Sequence, residues 1–336
     1  WSYLPRMTPW LIEFLKAGRP ERLPAISDAM FNLNRPNLDL YRQLLRGTGE
    51  EGLIADCSYL YVSRNLNGLN LNTFEWRLRE ERGVPFEQIS GDQARDIEPD
   101  LSLDIKSAAL IKDQGRTTNP GRLGKVLALK ASKLGVSFLK AEITKIKPSS
   151  YGGYDVFTDQ GTQTAASVVL TAGVWSAQLL KQLGVRVALE AERGYHLIFK
   201  DPGVNLTHSI LDSDNKFVSS SMEMGMRSAG TAEFAGIDAP PDYRRARVFE
   251  KHAKSLFPKL NIGSIEEWMG RRPSTPDSVP YIGEVPGFPR LFYGFGHGHL
   301  GLTGAPMTAR MVAALVSNEP LNIDMKPYRL DRFYKS

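Results

Sequence analysis

The sequence contains a single cysteine, Cys57, in 336 residues. That excludes an internal disulfide and a zinc site built on cysteine pairs. With Tyr59, Leu60 and Tyr61 beside it, the thiol has the setting of a small core residue rather than of a nucleophile. No metal-ligating pattern accompanies it, and no metal is expected. No apolar run approaches the ~18 residues of a membrane-spanning helix. Nor does one sign of charge dominate anywhere. The 42 Lys and Arg stand against 37 Asp and Glu, and the basic residues are dispersed (Arg6, Arg19, Arg77, Arg79, Arg244, Arg245). That dispersal describes a solvated surface, so no nucleic-acid partner is expected. The net charge of +5 remains compatible with anionic substrates or with peripheral contact at a membrane surface. The opening stretch WSYLPRMTPWLIEFLKAG has no signal-peptide pattern, and a cytoplasmic location is expected. Trp1 as first residue points to chain upstream of it.

What is present is ordinary globular material, 42% hydrophobic and 24% charged, long enough for two domains with cores of their own. The first hundred residues read as mainly helical. In TPWLIEFL, Thr8 is the expected N-cap and Pro9 the first helical residue. RPNLDLYRQLLRGTG has helical spacing and stops at Gly47, whereas SYLYVS (58–63) alternates like a strand. GDQARDIEPDL reads as a helix ended by its proline. TNPGRLGKVLALKASKLG (118–135) is the clearest helix, with Asn119 before Pro120 and Gly135 past its end. The period then switches to two. VSFLKAEITKIKP (136–148) reads as one or two strands, and a hairpin is expected around Asp159-Gln160-Gly161. Val168-Val169-Leu170 reads as a strand buried on both faces, running into a helix in TAGVWSAQLLKQLG. Residues 187–235 are strand-rich and 241–257 helical. LFYGF (291–295) reads as a strand and APMTARMVAALV (305–316) as a helix.

Between those last two elements lies GFGHGHLGLTG. Gly296-His297-Gly298-His299-Leu300-Gly301 fits the G-x-G-x-x-G pattern of a dinucleotide-binding turn. That fingerprint also needs a second strand with an acidic residue about 20 positions on, and no convincing strand carries Asp324. The loop keeps its physical content all the same. Closely spaced glycines at a helix start let a ligand approach the backbone and aim free N–H groups at it.

Four stretches, in order, resemble the D-amino acid oxidase superfamily of FAD-dependent amine oxidoreductases: TNPGRL with its helix, VVLTAGVWSAQLL, MGRRPSTPDSVPYIG and LFYGFGHGHLGLTGAPMTARMV. RSAGTAEFAG (227–236) agrees with them. Within the superfamily the sequence is most similar to bacterial D-amino acid dehydrogenases. The resemblance implies an α/β fold, α+β overall, in which a Rossmann-like FAD/NAD(P)-binding domain interleaves with an antiparallel-sheet substrate domain. The FAD domain is expected at 108–187 and 269–336, and the substrate domain at 1–107 and 188–268. The family's opening strand, G-x-G-x-x-G and helix are not matched. The FAD domain is therefore expected to be incomplete at its N-terminus, with that segment upstream, removed or supplied by a second polypeptide.

By the same resemblance, Gly296, His297, Gly298, His299, Leu300, Gly301, Leu302 and Thr303 form a second glycine loop facing the flavin. Ala172, Gly173 and Gly270 lie beside the cofactor, and the backbone of Ile143 meets its adenine. Arg272 grips the substrate carboxylate with its rigid two-pronged donor, with Arg271 the weaker candidate. Tyr195 and His196 face the pocket from the substrate sheet, where an ordinary strand role is equally open to them. His299 stands where glycine-oxidase-like members carry a second arginine, which speaks against glycine as substrate. The implied reaction is oxidation of a D-amino acid or cyclic imino acid, with quinone or oxygen as final acceptor. The rival reading is a flavin-free remnant of the fold that binds a small carboxylate or a protein partner.

Overall fold

The computed structural model describes residues 3–334. The chain opens with α1 (Leu4–Ala17), α2 (Leu23–Asn34) and α3 (Asn37–Leu45), followed by β1 (Ile54–Ser63), α4 (Phe74–Glu81), β2 (Phe86–Ser90) and α5 (Gly91–Ile97). Then come β3 (Ser107–Thr117), α6 (Pro120–Lys133), β4 (Ile143–Pro148), β5 (Tyr154–Thr158), β6 (Gly161–Ala165), β7 (Val168–Leu170) and α7 (Ser176–Lys181). The second half runs through β8 (Glu190–Phe199), β9 (Ser209–Asp212), β10 (Phe217–Met222), β11 (Gly225–Ala229) and β12 (Glu233–Phe234). It ends with α8 (Arg244–Leu256), β13 (Ile265–Ser274), β14 (Tyr281–Glu284), β15 (Leu291–Phe295) and α9 (Gly301–Val316).

Helix α6 forms as its caps dictate. The Asn119 side chain accepts from the Arg122 N–H at 2.9 Å, and Gly135 closes the helix at φ +95. Helix α1 does not. Pro5 sits in its first turn, and the helix runs through Thr8 and Pro9. The Thr8 hydroxyl donates back to the Leu4 carbonyl at 2.9 Å instead of capping, as hydroxyls inside helices do. Pro9 is tolerated because the carbonyl it leaves unbonded, that of Pro5, lies on an exposed turn. Of the stretch 136–148, only β4 is a strand.

A nine-stranded sheet dominates the structure. Its order is β12-β8-β11-β10-β9-β1-β3-β2, with β13 on the other edge of β8. The expected boundary at 107/108 falls within the first residues of β3, and the one at 268/269 falls inside β13. Both strands pair along their length in this sheet. One face is apolar: Leu60, Val62, Leu197, Phe199, Ile210 and Phe217 pack on Ala246, Phe249 and Leu256 of α8. A second sheet, β14-β15-β7, pairs β15 with β7 in parallel and carries α9. A third is the meander β4-β5-β6. The expectation that β7 is buried on both faces fails, since Val169 is 40% exposed and β7 pairs only β15 among the described residues.

The apolar face holds one ionic knot. Arg193, 1% exposed, lies with its Nε 3.3 Å from Glu233 and donates through Nη2 to the Pro240 carbonyl at 2.7 Å. Glu233 also accepts from the Tyr195 hydroxyl at 2.7 Å and from Arg245 at 2.9 Å. Removing one partner leaves a buried charge uncompensated. Glu233→Ala is expected to lower the unfolding free energy by about 3–5 kcal/mol, read from urea denaturation. Glu87→Ala, which breaks the exposed pair with Lys112, should leave the midpoint nearly unmoved.

Candidate active site

Strands β8 and β13 pair antiparallel over ten residues, from Ser274 opposite Glu190 to Ile265 opposite Phe199. Because successive side chains alternate, Glu190, Glu192, Gly194 and His196 share the face opposite the α8 core. Their partners Ser274, Arg272, Gly270 and Trp268 join them there. This face carries the polar chemistry. Its loop end is held by α1, whose Trp10 indole donates to the Ser274 carbonyl at 3.0 Å, and whose neighbour Tyr3 donates to Glu190 at 2.6 Å.

Arg272 lies flat across the sheet. A side chain at Gly194 would fall inside its guanidinium, so glycine there is what allows the approach. One nitrogen, Nη1, donates to Glu192 at 2.9 Å and to the Thr231 carbonyl at 3.1 Å. Among the described residues, Nε and Nη2 have no hydrogen-bond partner. Glu192 is buried and collects two more groups, the Ser274 hydroxyl at 2.8 Å and His299 Nε2 at 2.9 Å. Burial opposes its ionisation. His299, Ser274 and Arg272 together outweigh that and hold the carboxyl below its ordinary range.

The glycine loops meet β13 at this end. Ser274 bridges to His297, and β13 touches both the turn Gly173–Trp175 and the turn Gly298–Leu300. Gly296 (φ +90), Gly298 (φ +52) and Gly173 (φ +56) take left-handed conformations that glycine accepts without strain. A Cβ at Gly296 would also press to 2.9 Å from Thr275. His297 is half-buried, shares a hydrogen bond with the Thr308 hydroxyl at 2.8 Å, and is pushed down to about 4 by desolvation. It is a neutral packing residue. His299 has its side chain 61% exposed, and Leu300, Leu302 and Thr303 are exposed beside it.

Helix α9 begins at Gly301, ahead of the expected 305. Pro306 lies inside it and cannot donate to the Leu302 carbonyl. The Tyr41 hydroxyl of α3 donates there instead, and the Met307 N–H is met by Asn37 at 2.8 Å. No side chain caps the start of α9, which leaves its first amides available. A cavity of about 670 Å³ opens against Leu302 and Thr303, with Tyr41, Arg35, Arg79 and Arg116 in its wall.

The structure thus brings Arg272, His299, Gly270 and residues 296–303 to one end of the large sheet, with Ala172 and Gly173 across β13, and sets His196 on the same face further along β8. Tyr195 and Ile143 lie elsewhere. Tyr195 faces the opposite side: fully buried, it sits in the core and bonds Glu233, because alternation along β8 turns it away from His196. Ile143 is exposed on the separate β4-β5-β6 meander. Glu192 was missed altogether. Its signal, the spacing of Glu192, Gly194 and His196 at intervals of two, becomes readable only once the phase of β8 is known.

A family model described as DAO, FAD dependent oxidoreductase, matches residues 3–315, so the chain belongs to this family of FAD-dependent oxidoreductases. It is 35% identical over 338 residues to a D-amino-acid oxidase of Bradyrhizobium diazoefficiens, covering 99% of this chain and 80% of that protein. It is 28% identical over 332 residues to a D-amino acid dehydrogenase of Rhizobium rhizogenes, covering 97% and 80%. The fold matches the crystal structure of glycine oxidase from Geobacillus kaustophilus with TM-score 0.76 at 22% identity, over 94% of this chain and 84% of that one. The mixed α/β architecture is therefore that of the family, an FAD-binding part with a substrate part, and the activity is of the amino-acid oxidase or dehydrogenase type. Members of the family bind FAD. The residues here fit its ring end, offering uncapped helix amides, left-handed glycines and room at Gly173, where a Cβ would meet nothing within 4 Å. No helix among the described residues is long and apolar enough to cross a membrane.

Glu192 ties the site to pH. Because its folded carboxyl is lowered, its contribution to stability is complete above the unfolded value of about 4.3 and is lost as pH falls through the folded one. The stability difference between the wild type and Glu192→Gln should therefore be larger at pH 7 than at pH 3.5 in urea titrations. A difference independent of pH would contradict the ionised carboxylate.

Proposed function

We propose that the protein binds FAD and oxidises the amine-bearing carbon of a D-amino acid or cyclic imino acid. The resulting imino acid is hydrolysed by water to a keto acid and, for a primary amine, ammonia. The observation that carries this reading is the free edge of Arg272. Its Nη1 is held by Glu192 and Thr231, while Nε and Nη2 present the two-pronged side that suits a carboxylate. That edge lies at the loop end of β13, beside the amides of 296–303 and Gly173 that would hold the cofactor's ring. FAD, when bound, supplies the two-electron acceptor, with oxygen or a quinone as the final oxidant.

The chain's own residues supply orientation. Arg272 fixes the carboxylate, and Glu192 fixes Arg272, so the substrate's Cα–H has one approach to a flat acceptor. With the carboxylate and the Cα–H both placed, one enantiomer is selected. The names of the relatives above favour the D series. The uncapped first turn of α9 places positive backbone potential where negative charge develops on the acceptor.

Arg272→Ala in the FAD-loaded protein should raise KM strongly and cost about 2–5 kcal/mol of transition-state binding, and Arg272→Lys should recover only part of it. Gly194→Ala should imitate Arg272→Ala in its kinetics, because its side chain would take the place of the guanidinium. Unchanged kinetics in the alanine variant at 272 would remove Arg272 from the site. Steady-state turnover of paired enantiomers tests the rest: D-alanine and D-proline should far exceed their L forms, and equal rates would refute the D assignment.

A further inference from the structure

The face that carries Arg272 continues from β8 into β11, where it holds a second arginine without a counter-charge. Arg227 stands opposite Ile198 of β8 and Ser220 of β10, in the same alternation phase as His196 and Glu192. It is half-buried and, among the described residues, has neither ion pair nor hydrogen bond. Burial and the charge of Arg272 both act against its protonated form, and no carboxylate opposes them. Arg272 is matched by Glu192, Arg193 by Glu233 and Lys200 by Glu266, and Arg271 is met by the Ile237 carbonyl. A partly desolvated guanidinium without a partner is costly unless a ligand brings the anion.

His196, diagonally adjacent to Arg227, is a second unmet group. Its ring stacks on Trp268 with centroids 4.8 Å apart, and its Nδ1 is buried with no partner. Burial, then the charges of Arg227 and Arg272, push it down to about 4 against the opposing charge of Glu266, so the ring is neutral at pH 7. Two unmet polar groups on adjacent strands, Arg227 and His196, therefore lie side by side on one face of the sheet.

Their placement separates them from the reacting end. Arg272 projects from opposite residue 192 of β8 and reaches over Gly194, while Arg227 projects from opposite residue 198. The strand between residues 192 and 198 is about 20 Å long at about 3.3 Å per residue. The two arginines thus bracket the strip over Gly194 and His196, Arg272 at the glycine-loop end and Arg227 at the far end. On this face Arg272 is balanced by Glu192 and Lys200 by Glu266, which leaves Arg227 as the cation that a second carboxylate on the substrate would meet. A neutral amino acid would leave Arg227 uncompensated.

We propose that Arg227 and His196 form a specificity subsite for an acid group on the substrate's side chain, so that aspartate- or glutamate-like amino acids are preferred. This rests on the amino-acid reading above, and the test separates the two. Thermal unfolding is first followed with succinate, glutarate, acetate and propionate, which needs no turnover. The dicarboxylates should raise the midpoint of the wild type more than the monocarboxylates do, by mass action on the folded state. Arg227→Leu should abolish the difference, and Arg227→Lys should keep part of it. Steady-state kinetics follow, with the kcat/KM ratio of D-glutamate to D-alanine expected to drop about 100-fold in Arg227→Leu. Equal stabilisation by mono- and dicarboxylates in the wild type, or an unchanged ratio in a folded Arg227→Leu or Arg227→Lys, overturns the subsite. Failure of every D-amino acid to react, with the dicarboxylate shift intact and lost on mutation, overturns the reaction but upholds the subsite.

Discussion

The antiparallel register of β8 on β13 is the constraint from which the site's geometry follows. A strand alternates its side chains with period two, so a ten-residue ladder divides its residues cleanly between two faces. Arg193, Tyr195, Leu197 and Phe199 go to the α8 core, while Glu192, Gly194 and His196 go to the other face. A slip of one residue would bury Glu192 against α8 and expose Phe199. The apolar burial on the core side therefore fixes the chemistry on the pocket side. The ionic knot at Glu233 pins the same strand from its other edge, through β12.

On the pocket face, Glu192 has a role that its burial makes demanding. A desolvated carboxylate is tolerated only when its lone pairs are met, and here Arg272, Ser274 and His299 meet them. The result is a guanidinium whose position is fixed before any ligand arrives. That is the arrangement in which an anchor loses least entropy on binding. The two glycines of the ladder complete it. Gly194 admits the guanidinium and Gly270 admits the Trp268 indole, which would otherwise overlap their side chains.

The legibility of these features in the sequence follows how local each one is. Helix α6 was readable because Asn119, Pro120 and Gly135 act within one turn of where they stand. The hairpin at Asp159-Gln160-Gly161 was readable for the same reason. Prolines misled where the ends of helices had to be placed. Pro9 and Pro306 look like first-turn residues, yet both lie inside helices, Pro306 because α3 supplies the missing bonds from Tyr41 and Asn37. Arg272 and the glycine loop were legible as a family pattern. The phase of β8 was not, since Tyr195 and His196 are adjacent and only the pairing decides which one faces the pocket. Glu192 and the unmatched state of Arg227 lie beyond any local reading, because both depend on which charges four strands bring together.

The two walls of the site then divide the electrostatic work. The sheet contributes side-chain cations, Arg272 balanced by Glu192 and Arg227 unbalanced. The loop wall contributes backbone dipoles, the uncapped first turn of α9 among left-handed glycines. Side-chain charge fixes small anionic groups at a point, whereas helix amides spread a weaker positive potential over an edge. The chain props the carbonyl side of that turn through Tyr41 and leaves the amide side without a cap. Stiffness therefore comes from the protein, while the hydrogen bonds at the helix start are left for what binds there. A substrate pinned on the sheet wall faces an acceptor steadied on the loop wall, and both walls are set by contacts that exist before either ligand arrives.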